Sequence, residues 1–71
     1  MYKTKLGENA GVVWRILHGN GVISWGELLK RTQLEPIALA YAIGWLAREN
    51  KITIYERNGT FYFEVYHESY Y

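Results

Sequence analysis

From Leu6 onward, Leu6, Ala10, Val13, Trp14 and Leu17 recur at i, i+4, i+7, i+8 and i+11, the spacing of one apolar stripe on an α-helix. Glu8, Gly11 and Arg15 fall on the opposite side. Val12 and Ile16 form a second apolar strip beside the first, so this helix is expected to be covered on more than one flank. Gly19-Asn20-Gly21 ends it, because both residue types enter the left-handed conformation that stops a helix.

Val22-Ile23 then reads as a short strand leading into Ser24-Trp25-Gly26-Glu27. Ser24 can accept from the amide of Glu27 while the Glu27 carboxylate reaches back to the amide of Ser24, a capping box, and Ile23 with Leu28 supplies the hydrophobic staple. A second helix should therefore run to about Thr32. After Gln33-Leu34-Glu35, Pro36 opens a third helix, since its fixed φ suits the first helical position. Its expected end is about Glu49, with Asn50 as the stop.

At Lys51 the apolar period drops from 3.6 to 2: Ile52 and Ile54 precede Asn58-Gly59, and Phe61, Phe63 and Val65 follow. A two-residue Asn-Gly loop between alternating runs predicts a β-hairpin, because a type I′ turn needs positive φ at both central residues. Asn58-Gly59-Thr60 also matches a glycosylation sequon, but the turn accounts for it. The loop sets a register pairing Arg57 with Thr60, Tyr55 with Tyr62, Ile54 with Phe63 and Ile52 with Val65. Ile52, Ile54, Phe61, Phe63 and Val65 are expected to face the core, and Tyr55 and Tyr62 to stack as an exposed pair.

Helix, short strand, helix, tight turn, helix, hairpin is the element order of an α+β winged helix-turn-helix, with the hairpin as wing. Two segments carry a closer likeness: Gly7-Glu8-Asn9-Ala10-Gly11, continued by Val13-Trp14 and Leu17, and Ala42-Ile43-Gly44-Trp45-Leu46-Ala47-Arg48-Glu49-Asn50-Lys51-Ile52. The chain resembles a family of small stand-alone bacterial and archaeal winged helix-turn-helix domains of about this length. That resemblance implies a fold and brings no role with it.

At 71 residues the chain has room for one domain, 1–71, and 49% hydrophobic residues against 21% charged is too apolar for a disordered tail. So short a chain buries only ~60% of its unfolded surface, which leaves apolar surface for a partner. It has no cysteine and no aspartate, and eight Lys and Arg against seven Glu leave a net charge of +1. Near-neutrality lowers the expectation of a phosphate-backbone partner without removing it. The N-terminal stretch lacks the apolar run of a secretory signal, and Ile37 to Ala47 falls short of the ~20 residues of a membrane span. The expected location is the cytoplasm.

Enzyme chemistry has few groups to draw on: two histidines, two serines, no Cys and no Asp. His18 reads as a cation at a helix C-terminus and His67 as a solvated tail residue. Neither spacing suits zinc, and Gly-Asn-Gly lacks the Lys-Ser or Lys-Thr of a phosphate loop, so no metal and no cofactor are expected.

The third helix carries the most information, since in a DNA-bound helix-turn-helix it enters the major groove. At about 100° per residue its inward stripe is Leu39, Ile43 and Leu46, which turns Ile37, Tyr41, Gly44, Trp45 and Arg48 outward. Base reading needs Arg, Lys, Asn, Gln, Ser or Thr, and only Arg48 qualifies, at the wrong end. Glu35 stands at the helix start, where it would repel a phosphate. Ala40 and Gly44 add a small-xxx-small spacing that admits close approach of another helix. The first expectation is thus a non-enzymatic interaction module, a homodimer through Ile37, Tyr41, Gly44 and Trp45. The alternative is weakly sequence-specific nucleic-acid binding through Lys30, Arg31, Lys51 and Arg57 on phosphates, with Lys3 and Lys5 in an N-terminal arm.

Overall fold

A computed structural model describes residues 2–66 of the chain. The elements follow in the order α1 (Tyr2–Leu17), β1 (Ile23–Ser24), α2 (Trp25–Thr32), α3 (Pro36–Arg48), β2 (Ile52–Arg57) and β3 (Thr60–Val65). This is the winged helix-turn-helix arrangement. The strands form one antiparallel sheet in the order β1-β3-β2, so the short strand between the first two helices pairs with the second strand of the wing, which lies at the centre of the sheet. Tyr66 N–H donates to the Lys51 carbonyl at 2.8 Å and ties the end of β3 to the start of β2. Residues 67–71, with His67 and most of the tyrosine-rich stretch, lie outside the described residues.

The helices pack their predicted faces together. Ala10, Val13 and Leu17 of α1 are buried with Leu28 of α2 and with Leu39, Ala42, Ile43 and Leu46 of α3; Ile23, Ile52, Phe63 and Val65 close the core from the sheet. Each large side chain taken fully from water stabilises by about 1.5–3 kcal/mol, and Val13, Leu17, Leu28 and Leu39 are the fully enclosed ones among the largest. Trp25 leans on Phe63, ring centroids 6.4 Å apart and planes tilted by 53°.

Several local expectations need correction. α1 begins at Tyr2, so Lys3 and Lys5 sit on a helix and not in an arm; nothing in that stretch breaks the helix, and lysine is a good helix former. Val22 is exposed and the strand starts at Ile23. The Ser24 side chain does accept from the Glu27 amide at 3.2 Å. The Glu27 carboxylate, however, does not complete a capping box: it takes the Arg31 Nε at 2.8 Å, one turn on, where a full opposite charge is a stronger partner than an amide. At the end of α1 the His18 ring also stacks on Trp14, centroids 4.6 Å apart. Asn9 is buried beside Ala10, a polar position within an otherwise apolar interface.

In the wing, the register is the expected one, with Ile52 opposite Val65, Ile54 opposite Phe63, Tyr55 opposite Tyr62 and Arg57 opposite Thr60. Asn58 and Gly59 both take positive φ, 52° and 81°, as a type I′ turn demands. Ile52, Phe63 and Val65 are buried, but Ile54 is 42% and Phe61 46% exposed. They share the face of Phe63 but lie nearer the turn, and none of the described residues covers this outer half of the hairpin. Nor do Tyr55 and Tyr62 stack: the Tyr55 hydroxyl instead donates to Glu64 Oε1 at 2.8 Å.

Candidate functional site

α3 has a clear start and a clear end. Pro36 occupies its first turn, Glu35 is the N-cap without a side-chain bond to the backbone, and alanines at 38, 40, 42 and 47 favour the helix. At its other end Asn50 takes φ 58°, its N–H donates to the Ala47 carbonyl at 3.0 Å, and Lys51 N–H donates to the Leu46 carbonyl at 2.9 Å. That pair of bonds is a Schellman cap. Asn50 is therefore the stop, with Arg48 the last helical residue.

Leu39, Ala42, Ile43 and Leu46 are buried and Ala47 packs against them, which leaves one face of α3 turned outward. Ile37 is 68% exposed, Tyr41 57% and Trp45 40%, with Gly44 and Arg48 also exposed. The four residues predicted for a protein interface, Ile37, Tyr41, Gly44 and Trp45, thus share one face of one helix within three turns. A Cβ built at Gly44 would meet nothing within 4 Å, so the middle of this face is bare backbone.

Beside this face runs a feature that helical periodicity alone did not reveal. A groove of about 520 Å³ lies between α1 and the C-terminal half of α3, lined by Gly7, Gly11, Trp14, Arg15, Trp45 and Lys51. Its signal in the sequence was the pair of glycines one turn apart inside a helix. A helical wheel of α1 places Gly11 and Arg15 away from the core stripe and cannot show that α3 forms the opposite wall.

The four candidate phosphate contacts are scattered. Lys30 and Arg31 close α2, Lys51 stands at the groove and Arg57 at the wing tip. Lys51 and Arg57 bracket β2 and are about 20 Å apart at strand rise. Arg31 is already engaged by Glu27, whose carboxyl it holds below the ordinary value, chiefly through their hydrogen bond. Lys30, Lys51 and Arg57 have no ion-pair partner among the described residues. Among those residues, no three His or Glu side chains converge as metal ligands, and no helix is long and apolar enough to cross a membrane.

A family model described as a winged helix-turn-helix domain (DUF2582) matches residues 1–65. A solution NMR structure of a protein from Bacteroides thetaiotaomicron is similar at 42% sequence identity and a TM-score of 0.81, over 92% of this chain and 79% of that one. No curated protein matches.

Proposed function

This chain belongs to the winged helix-turn-helix domain family DUF2582, and from that premise we propose that it is a non-enzymatic interaction module that pairs with a second copy of itself through the outward face of α3. One observation carries this reading: the helix that a DNA-binding relative would present to base edges presents Ile37, Tyr41, Gly44 and Trp45. None of those side chains offers the bidentate donor–acceptor pairing of direct readout, and aromatic residues are the usual anchors of protein interfaces. A second copy suits such a surface, since a patch around a twofold axis need only complement itself. The scarcity of nucleophiles and acid–base groups supports a module without chemistry of its own. Sedimentation equilibrium across the micromolar range tests it: a dimer that Trp45→Ala weakens supports the reading, and a wild-type monomer throughout would refute it.

Nucleic-acid binding is a second reading, supported by the fold and by the cations Lys30, Lys51 and Arg57, which have no ion-pair partner among the described residues. Against it stand their dispersal, the engagement of Arg31, and Glu35 at the N-terminus of α3.

A further inference from the structure

Resting on that self-association, we infer that two copies of α3 pair antiparallel about a twofold axis near Tyr41, with the partner's Ile37 entering the groove between α1 and α3. Charge sets the direction. Glu35 caps the start of α3, whereas Arg48 ends it and Arg15 and Lys51 stand at the adjoining groove. None of these four has an ion-pair partner among the described residues. A parallel pair would set Glu35 against Glu35 and Arg48 against Arg48, a like-charge juxtaposition that disfavours association. The antiparallel pair sets each acidic end on the partner's basic end and also opposes the two helix dipoles.

Geometry agrees with charge. Ile37 and Trp45 lie four positions on either side of Tyr41, so an axis there brings each Ile37 to the partner's Trp45, which is one wall of the groove. Ala38 then falls opposite the partner's Gly44, where small residues let the two backbones approach. The groove has space for what arrives. A Cβ built at Gly7 meets nothing within 4 Å, and one at Gly11 meets only the Arg15 guanidinium, at 3.8 Å. Glycine is poorly suited to a helix interior, and among the described residues nothing occupies the space left by these two. Ile37, the most exposed large apolar side chain among the described residues, is an apolar group of the chemistry such a glycine-floored, tryptophan-walled groove accepts.

Sedimentation equilibrium on the whole chain, with circular dichroism on each variant, tests the arrangement. Gly11→Leu points a side chain into the groove from a helix it does not disturb, and it should raise the dimer dissociation constant at least about tenfold while the monomer stays folded. Glu35→Lys should weaken the dimer by a similar factor, and Glu35→Lys combined with Arg48→Glu should recover most of the loss. A dimer that Trp45→Ala weakens but that ignores both Gly11→Leu and Glu35→Lys would overturn the antiparallel arrangement and leave self-association standing. A charge swap that deepens the loss would overturn it as well. A wild-type chain that never dimerises would remove both proposals together.

Discussion

The hydroxyl of Tyr55 donates to Oε1 of Glu64 at 2.8 Å, a diagonal bond across the wing from the middle of β2 to the residue two beyond its partner on β3. The bond needs the protonated phenol, so it raises the Tyr55 pKa above the ordinary 10.0, helped less by desolvation and by the Glu64 charge. A raised pKa means that this stabilisation is fully present below the unfolded value and is lost as pH climbs through the higher folded one. Tyr55→Phe should therefore remove a component that titrates above the ordinary tyrosine value in an ultraviolet titration. An unchanged alkaline limb would show that the bond does not persist in solution.

Glu27 behaves in the opposite sense. Its hydrogen bond from Arg31 favours the carboxylate and lowers its pKa from 4.5, so the contribution is present above the unfolded value and is lost as pH falls through the lower folded one. Carboxyl-carbon NMR of Arg31→Ala should show Glu27 titrating closer to its ordinary value. Both side chains are largely exposed, and neutral-pH stability should barely change. Ser24→Ala, which removes the N-cap of α2, should cost about 1 kcal/mol in urea unfolding.

The inner and outer halves of the wing should respond differently to truncation. Phe63→Ala removes a buried ring that touches Trp25 and should cost ~3–5 kcal/mol, enough to unfold much of so small a domain. Phe61→Ala, on the same face two residues nearer the turn, should cost less than about 1 kcal/mol. Equal losses in denaturant melts would mean that the outer wing is covered in solution.

The two faces of α3 separate folding from association. Leu39→Ala should destabilise the monomer by ~2–5 kcal/mol, since its side chain is fully enclosed. Trp45→Ala should cost about 2 kcal/mol of dimer stability and leave the thermal melt of the dilute monomer nearly where it was.

Should the domain bind duplex DNA, three dispersed cations give a salt slope of about −3, and Lys51→Ala should reduce it by about 1 for every sequence tested. Fluorescence anisotropy at several salt concentrations measures this. Strong discrimination between duplex sequences would require base contacts that α3 does not offer.

The elements, the hairpin register and the inward side of α3 were legible in the sequence because short-range physics decides them. A change of period at Lys51 marks the passage from helix to strand, and Asn58-Gly59 admits one turn geometry and therefore one register. Pro36 opens a helix through its fixed φ, and Asn50 and Ser24 punctuate helices through bonds to residues three positions away. Leu39, Ile43 and Leu46 can only be buried on one side. Tertiary structure decided whatever depends on where one element ends relative to another. Ile54 and Phe61 face the right way but lie nearer the turn, where none of the described residues covers them. Glu27 is the exception, since both of its partners are local and the charge one helical turn on is the stronger. The α1–α3 groove exists only because two faces, each unremarkable on its own wheel, are brought side by side by the burial of Val13, Leu17, Leu39 and Leu46 behind them.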